Sequence, residues 1–244
     1  MRRPGAVDLM LLATVLIWAF NVSVTRYVLT HGWQPLAYSA IRYSAAAVLF
    51  SAFTFRRERS FRVGGRRDVL LLVAAAAFGV WLNQIAFVYS VKLTNATTVA
   101  LILGTIPIFT ALVAFALGVE RLPGRFWLAA AISFAGVALV ALGTGGTVET
   151  DLVGDALAVA TAATWAVYSV LIAPLMRRYS PWRISAIVLV AGLVPLAASS
   201  VGQLSRQDFS LSWLVWAALV FAILGPLFLT NILWFTAIDR VGPS

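Results

Sequence analysis

The chain has 244 residues, of which 61% are hydrophobic and only 11% charged, and its mean hydropathy is +0.94. That composition excludes a solvated globular surface and requires a bilayer as solvent. The net charge of +9 sits in clusters between apolar runs, which assigns it to membrane topology rather than to nucleic acid, and the absence of cysteine excludes disulfides and thiolate metal sites.

Each crossing needs about 20 apolar residues, and the sequence offers eight candidates. "MRRPGAVD" runs into the first span, 8–29, with no small-residue cleavage site, so this segment is read as retained. Thr14, Trp18, Asn21 and Thr25 share one face of it by helical spacing. The turn "THGWQP" follows, where the single histidine, His31, reads as solvated. The second span, 34–55, holds Arg42, a lone charge roughly 10 Å past Pro35 by helix rise. Such a charge faces a cavity or a partner as an anion anchor, or else snorkels or bonds backbone carbonyls.

The third span, 68–91, carries Asn83, Gln84 and Phe87. Pro107 interrupts the fourth, 96–118, and the fifth covers 125–143. The sixth, 154–176, holds the stripe Thr161, Trp165 and Tyr168 within "TAATWAVY". Gly192 and Pro195 mark the seventh, 183–203. The eighth, 211–238, holds Gly225, Pro226, Thr230, Asn231 and Trp234. Pro107, Pro195 and Pro226 are candidate hinges, with static kinks as the alternative. The stripes fit interhelical packing, and they equally fit a wet cavity for a small amphipathic or zwitterionic solute. Asp8 and Asp155 stand near helix starts and read as caps; no carboxylate sits in mid-span.

With the N-terminus in the cytoplasm, 14 of the 18 basic residues fall inside, and only Arg26, Lys92 and Arg206 fall outside. Shifting the sequence by 147 lays Asp8, Thr14, Trp18 and Ala19 on Asp155, Thr161, Trp165 and Ala166, and Gln84 and Phe87 on Asn231 and Trp234. A shift of 146 lays Pro35, Ser39, Ala40 and Ile41 on Pro181, Ser185, Ala186 and Ile187. One nearly constant offset over three spans predicts an internal duplication: residues 1–148 as a five-span unit and 149–244 as a second unit with three spans. An odd span count inverts the second copy, which places a substrate site near the midplane between the halves. Partners of the fourth and fifth spans would occupy about 244 to 290, so the sequence reads as part of a longer chain, with genuine loss of that pair as the alternative.

Trp18 with Asn21, Pro35 with Arg42, the stretch "LTNATTVALILGTIPIFTALVAFALGVERL" with Pro107 and Glu120, and "AIDRVGPS" together resemble the EamA group of the drug/metabolite transporter superfamily. The resemblance implies a ten-helix, five-plus-five inverted repeat in the bacterial cytoplasmic membrane, with a cavity built from the first, third, fourth, sixth, eighth and ninth helices. It implies export or exchange of small metabolites, amino acids or amphipathic compounds. The expected class is an all-α polytopic membrane protein acting as a secondary transporter by alternating access. Trp18, Asn21, Arg42, Gln84, Trp165, Tyr168, Asn231 and Trp234 are the candidate substrate contacts. Neither a cofactor nor a metal is expected. The expected partners are a small-molecule substrate and the bilayer, with a homodimer left open. An enzyme would need a nucleophile–base pair, a metal set or paired acids, which the sequence does not offer. A non-transporting or inactive membrane scaffold is the remaining alternative.

Overall fold

Apolar runs of this length become helices because in lipid every backbone N–H and C=O has to be satisfied within its own segment. The computed structural model describes residues 5–119, 121–143 and 151–233, with side chains described for all of these except 137–143. Six helices are long and apolar enough to cross a bilayer: α1 (Ala6–Thr30), α2 (Pro35–Glu58), α3 (Arg66–Leu93), α7 (Leu152–Ile172), α8 (Pro181–Leu204) and α9 (Trp213–Leu233). Between them, α4 (Ala96–Leu103) and α5 (Ile106–Ala116) form a pair bent by 41°, which as one unit makes a seventh candidate span. The fifth expected span coincides with α6 (Gly124–Gly143), and no strand occurs among the described residues. The chain is thus an all-helical, multi-pass membrane protein.

The helix starts carry their own chemistry. Pro35 and Pro181 open α2 and α8, where a missing N–H is harmless. Asn95 accepts from the Thr98 amide at 2.8 Å, Asp151 from those of Val153 and Gly154, and Ser180 from that of Arg183. Pro107 lies in the first turn of α5, just after the break, so it begins a helix instead of interrupting one. Pro195 lies inside α8.

Two spans depart from regular α geometry. A six-residue π segment, Ala77–Leu82, widens α3, and another, Leu224–Leu229, widens α9 and contains Pro226. The two segments are 147 positions apart.

Packing follows a simple pattern. Helix α2 lies along α8, α3 lies against α7, and α1 lies against α9. Helices α4 and α5 cover α7, and α3 also meets α8. That last contact depends on Gly192, where a Cβ would stand 2.5 Å from Val80 Cβ and 2.8 Å from the Ala76 carbonyl. Such backbone approach through small residues drives helix association in lipid. Large apolar side chains such as Leu12, Leu16, Phe20 and Val48 remain exposed on the outer faces, where acyl chains replace water.

The two ends of the bundle are fastened differently. At the end where α1 begins (the proximal end), Arg183 pairs with Glu58 at 2.8 Å and Arg178 with Asp68 at 3.1 Å. At the distal end the bonds are neutral amides: Gln207 accepts from the Gln34 N–H at 2.8 Å, and Gln203 from the Leu36 N–H at 2.7 Å.

Candidate functional site

Arg42 is 2% exposed, seven residues into α2. A guanidinium in an apolar interior demands donors' partners and polarisable surroundings. It donates through one terminal nitrogen to the Tyr38 hydroxyl at 3.1 Å and through the other to Gln84 Oε1 at 3.0 Å. Its carbon lies 5.1 Å from the Tyr38 ring centroid, 5.4 Å from that of Tyr43 and 6.0 Å from that of Phe87. The Nε–H is buried without an acceptor among the described residues. Both ion pairs of the described residues are formed by other side chains, so no described carboxylate neutralises this charge. Arg42 is too buried to snorkel, and among the described residues it bonds no backbone carbonyl.

The polar contacts extend in both directions from it. On one side the Tyr38 hydroxyl meets Thr25 Oγ1 of α1 at 3.4 Å. On the other, Gln84 Nε2 reaches Asn83 Oδ1 at 3.4 Å, and Asn83 Nδ2 donates to the Thr161 carbonyl at 2.9 Å and Thr164 Oγ1 at 3.1 Å on α7. One buried chain thus links α1, α2, α3 and α7, and its two longest links lie one step out from the cation on either side.

Trp165 and Tyr168 stand on α7 just beyond Asn83, with ring centroids 5.1 Å apart. Tyr168 lies flat on bare backbone: a Cβ on Gly79 would come within 2.4 Å of its Cδ2. A cleft below Tyr168, lined by Ile172, Met176, Pro181, Ile184 and Ser185, has about 10 Å³ for water centres, room for roughly one water molecule.

The remaining expected residues gather on α1 and α9. Trp18 donates from Nε1 to Thr230 Oγ1 at 3.0 Å and to the Pro226 carbonyl at 3.2 Å. Asn21 is buried and its Oδ1 has no donor. Asn231 is half-buried and donates to the Leu227 carbonyl of its own helix at 2.6 Å. Trp234 lies outside the described residues. The structure therefore joins Arg42 directly to Gln84, and Trp165 to Tyr168, while Trp18 belongs to a separate α1–α9 contact.

Sequence reasoning did not single out Tyr38, Tyr43 and Thr164. Tyr38 had a signal, since it stands one helical turn before the buried cation. Thr164 had none, because its use depends on which helix packs against α3. The described residues contain no group of three or more His, Asp or Glu placed to hold a metal ion.

The model of the EamA-like transporter family matches residues 5–142 and 152–244 of the chain. A Bacillus subtilis (strain 168) protein named "Uncharacterized transporter YetK" is 24% identical over 207 residues, covering 83% of this chain and 63% of that protein. An Archaeoglobus fulgidus protein named "Uncharacterized transporter" is 29% identical over 202 residues, covering 79% of this chain and 67% of the relative. The chain therefore spans 63–67% of the length of these two relatives. A solved crystal structure superimposes with a TM-score of 0.65 at 20% identity, covering 98% of this chain and 81% of the other, which is a likeness of fold.

Proposed function

The chain belongs to the EamA-like transporter family, and from that premise we propose that it is a secondary transporter exporting small metabolites, amino acids or amphipathic compounds. In this reading it sits in the bacterial cytoplasmic membrane with its N-terminus inside and works by alternating access. The halves 1–148 and 149–244 are inverted repeats, and the solute passes between them.

Several observations support the repeat. The family match falls in two stretches. The π segments of α3 and α9 are 147 positions apart. Thr14 donates to the Met10 carbonyl at 2.9 Å, and Thr161, at the same offset, donates to that of Leu157 at 2.8 Å. The packing also exchanges correctly. If α1 pairs with α7, α2 with α8 and α3 with α9, the α1–α9 contact becomes the α7–α3 contact, and α2–α8 maps onto itself.

The observation that carries the site is the buried, uncompensated Arg42 with its free Nε–H. A cation held at that depth without a carboxylate is set to receive an anionic group from outside the protein. Gln84 orients it from α3. Trp165 and Tyr168 offer apolar and π surface beside it, Asn21 offers an open acceptor, Trp18 and Asn231 complete the opposite wall, and Trp234 is a further substrate contact by its sequence position alone. The cleft under Tyr168 holds roughly one water, so a solute enters that cleft only if its lining helices move. Pro195, Pro226 and Pro107 stand at the irregular points where bending is easiest.

The test is flux in reconstituted vesicles, comparing a panel of carboxylates with amines of matched size. Arg42→Gln abolishes carboxylate flux, Arg42→Lys retains part of it, and Trp165→Ala lowers flux of every substrate. Unchanged carboxylate flux in Arg42→Gln, with the variant folded, overturns the anchor role; unchanged flux in both Arg42→Gln and Trp165→Ala overturns the site.

A further inference from the structure

The proximal end carries an arginine-rich segment, "FRRERSFRVGGRRD", residues 55–68. It is fixed in place rather than loose. Tyr179 donates its hydroxyl to Asp68 Oδ2 at 2.7 Å and accepts from the Gly64 N–H at 2.8 Å. Arg183 donates to Glu58 Oε2 at 3.0 Å and to the Arg62 carbonyl at 3.2 Å, and the Ser180 hydroxyl also bonds Glu58. Arg178 holds Asp68 at 3.1 Å.

This fastening has an electrostatic consequence. Glu58 and Asp68 are the two acids of the segment, and they are taken up by Arg183 of the first turn of α8 and by Arg178 of the turn before it. Arg56, Arg57, Arg59, Arg62, Arg66 and Arg67 stay exposed, with no ion-pair partner among the described residues. Arg57 lies 5.7 Å over the Trp182 ring, which leaves its donor edges open. Phe55 and Phe61, 59% and 39% exposed, stand within the same segment. The collar sits where two apolar spans end, which is headgroup depth in a bilayer.

We propose that this pinned collar is a binding site for the phosphodiester headgroups of anionic phospholipids, and that bound lipid holds the α2–α3 segment against the α7–α8 turn. Guanidinium matches phosphate oxygens in a two-pronged geometry, and the surplus of cations over acids leaves the collar short of anions. Phe55 and Phe61 add apolar surface of the kind that enters the acyl boundary. The distal end is poorer in cations: Arg26 there is spent on the carbonyls of Val91, Lys92 and Thr94, which leaves Lys92 and Arg206. The assignment concerns lipid and does not depend on the solute or on transport.

The full chain is placed in phosphatidylcholine nanodiscs with and without phosphatidylglycerol, and lipid retention (by native mass spectrometry) and thermal midpoint are read. Phosphatidylglycerol is retained several-fold over phosphatidylcholine and raises the midpoint. The triple change Arg56→Gln, Arg62→Gln and Arg66→Gln loses this preference while folding in phosphatidylcholine, whereas Arg206→Gln keeps it. Equal retention of both lipids by the unmodified chain overturns the proposal without need of any variant. Undiminished preference in the triple variant, or an equal midpoint rise with glycerol phosphate in place of lipid, overturns it as well.

Discussion

On the duplication proposed above, the contact of α3 with α7 and the contact of α1 with α9 occupy matching places, yet they are built differently. In the first, the π segment presents bare backbone at Gly79, Tyr168 lies on it, and Asn83 sends two hydrogen bonds across to α7. In the second, the direction reverses: Trp18 of α1 sends its indole N–H into the π segment, to the Pro226 carbonyl and Thr230 Oγ1. Asn83 is 3% exposed, whereas Trp18 is 37% exposed. The backbone irregularity is common to both, and a polar bond crosses both, but one contact is sealed and the other stands half open. On that proposal a duplicated scaffold keeps its frame while its side chains diverge, one contact buried beside the Arg42 network and the other half open.

That difference can be broken by adding one carbon. Gly79→Ala forces its Cβ against the root of the Tyr168 ring, and overpacking of this kind destabilises by about 1–3 kcal/mol. Gly225→Ala meets the outer edge of Phe221 at 3.2 Å and Ile17 Cγ2 at 3.5 Å, and has a smaller effect. Thermal unfolding in one detergent ranks the two variants; the reverse order contradicts the sealed-versus-open distinction.

Removing polar bonds sharpens the comparison. Asn83→Leu deletes both bonds to α7 and frees Gln84, and interhelical bonds of this kind are worth about 0.6–1.7 kcal/mol in lipid. Its midpoint falls, and carboxylate flux falls with it because Arg42 loses its oriented partner. Thr230→Val has the smallest effect, about 0.6 kcal/mol or less, because Trp18 keeps the Pro226 carbonyl. A loss in Thr230→Val equal to that in Asn83→Leu makes the two contacts energetically equivalent.

Much of this was legible in the sequence because apolar length and turn chemistry act locally. The expected spans 8–29 and 183–203 lie within Ala6–Thr30 and Pro181–Leu204, and Pro35, Asn95, Asp151 and Ser180 mark helix starts as their chemistry requires. Asp8 caps, as expected, by accepting the Gly5 N–H at 2.8 Å; its counterpart Asp155 instead has a buried Oδ1 with no donor, and Asp151 does the capping. The sequence places the interruption of the fourth span at Pro107, as a hinge or a static kink, but the chain turns before the proline because Pro107 is tolerated best in a first turn. The ion pairs could not be read, since Glu58 and Asp68 find Arg183 and Arg178 more than a hundred positions away and only the fold brings them together. Nor could the π segments be read, because widening a turn leaves apolar periodicity almost unchanged.

Those two π segments also order events in time. A widened turn arises when a helix accepts an extra residue and keeps its ends fixed. On the duplication proposed above, finding it at matching positions in α3 and α9 dates it before the gene doubled: the ancestral half-protein already carried the wide turn. The residues now resting against it, Tyr168 on one side and Trp18 on the other, are then the younger features, two descendants' separate answers to one inherited gap.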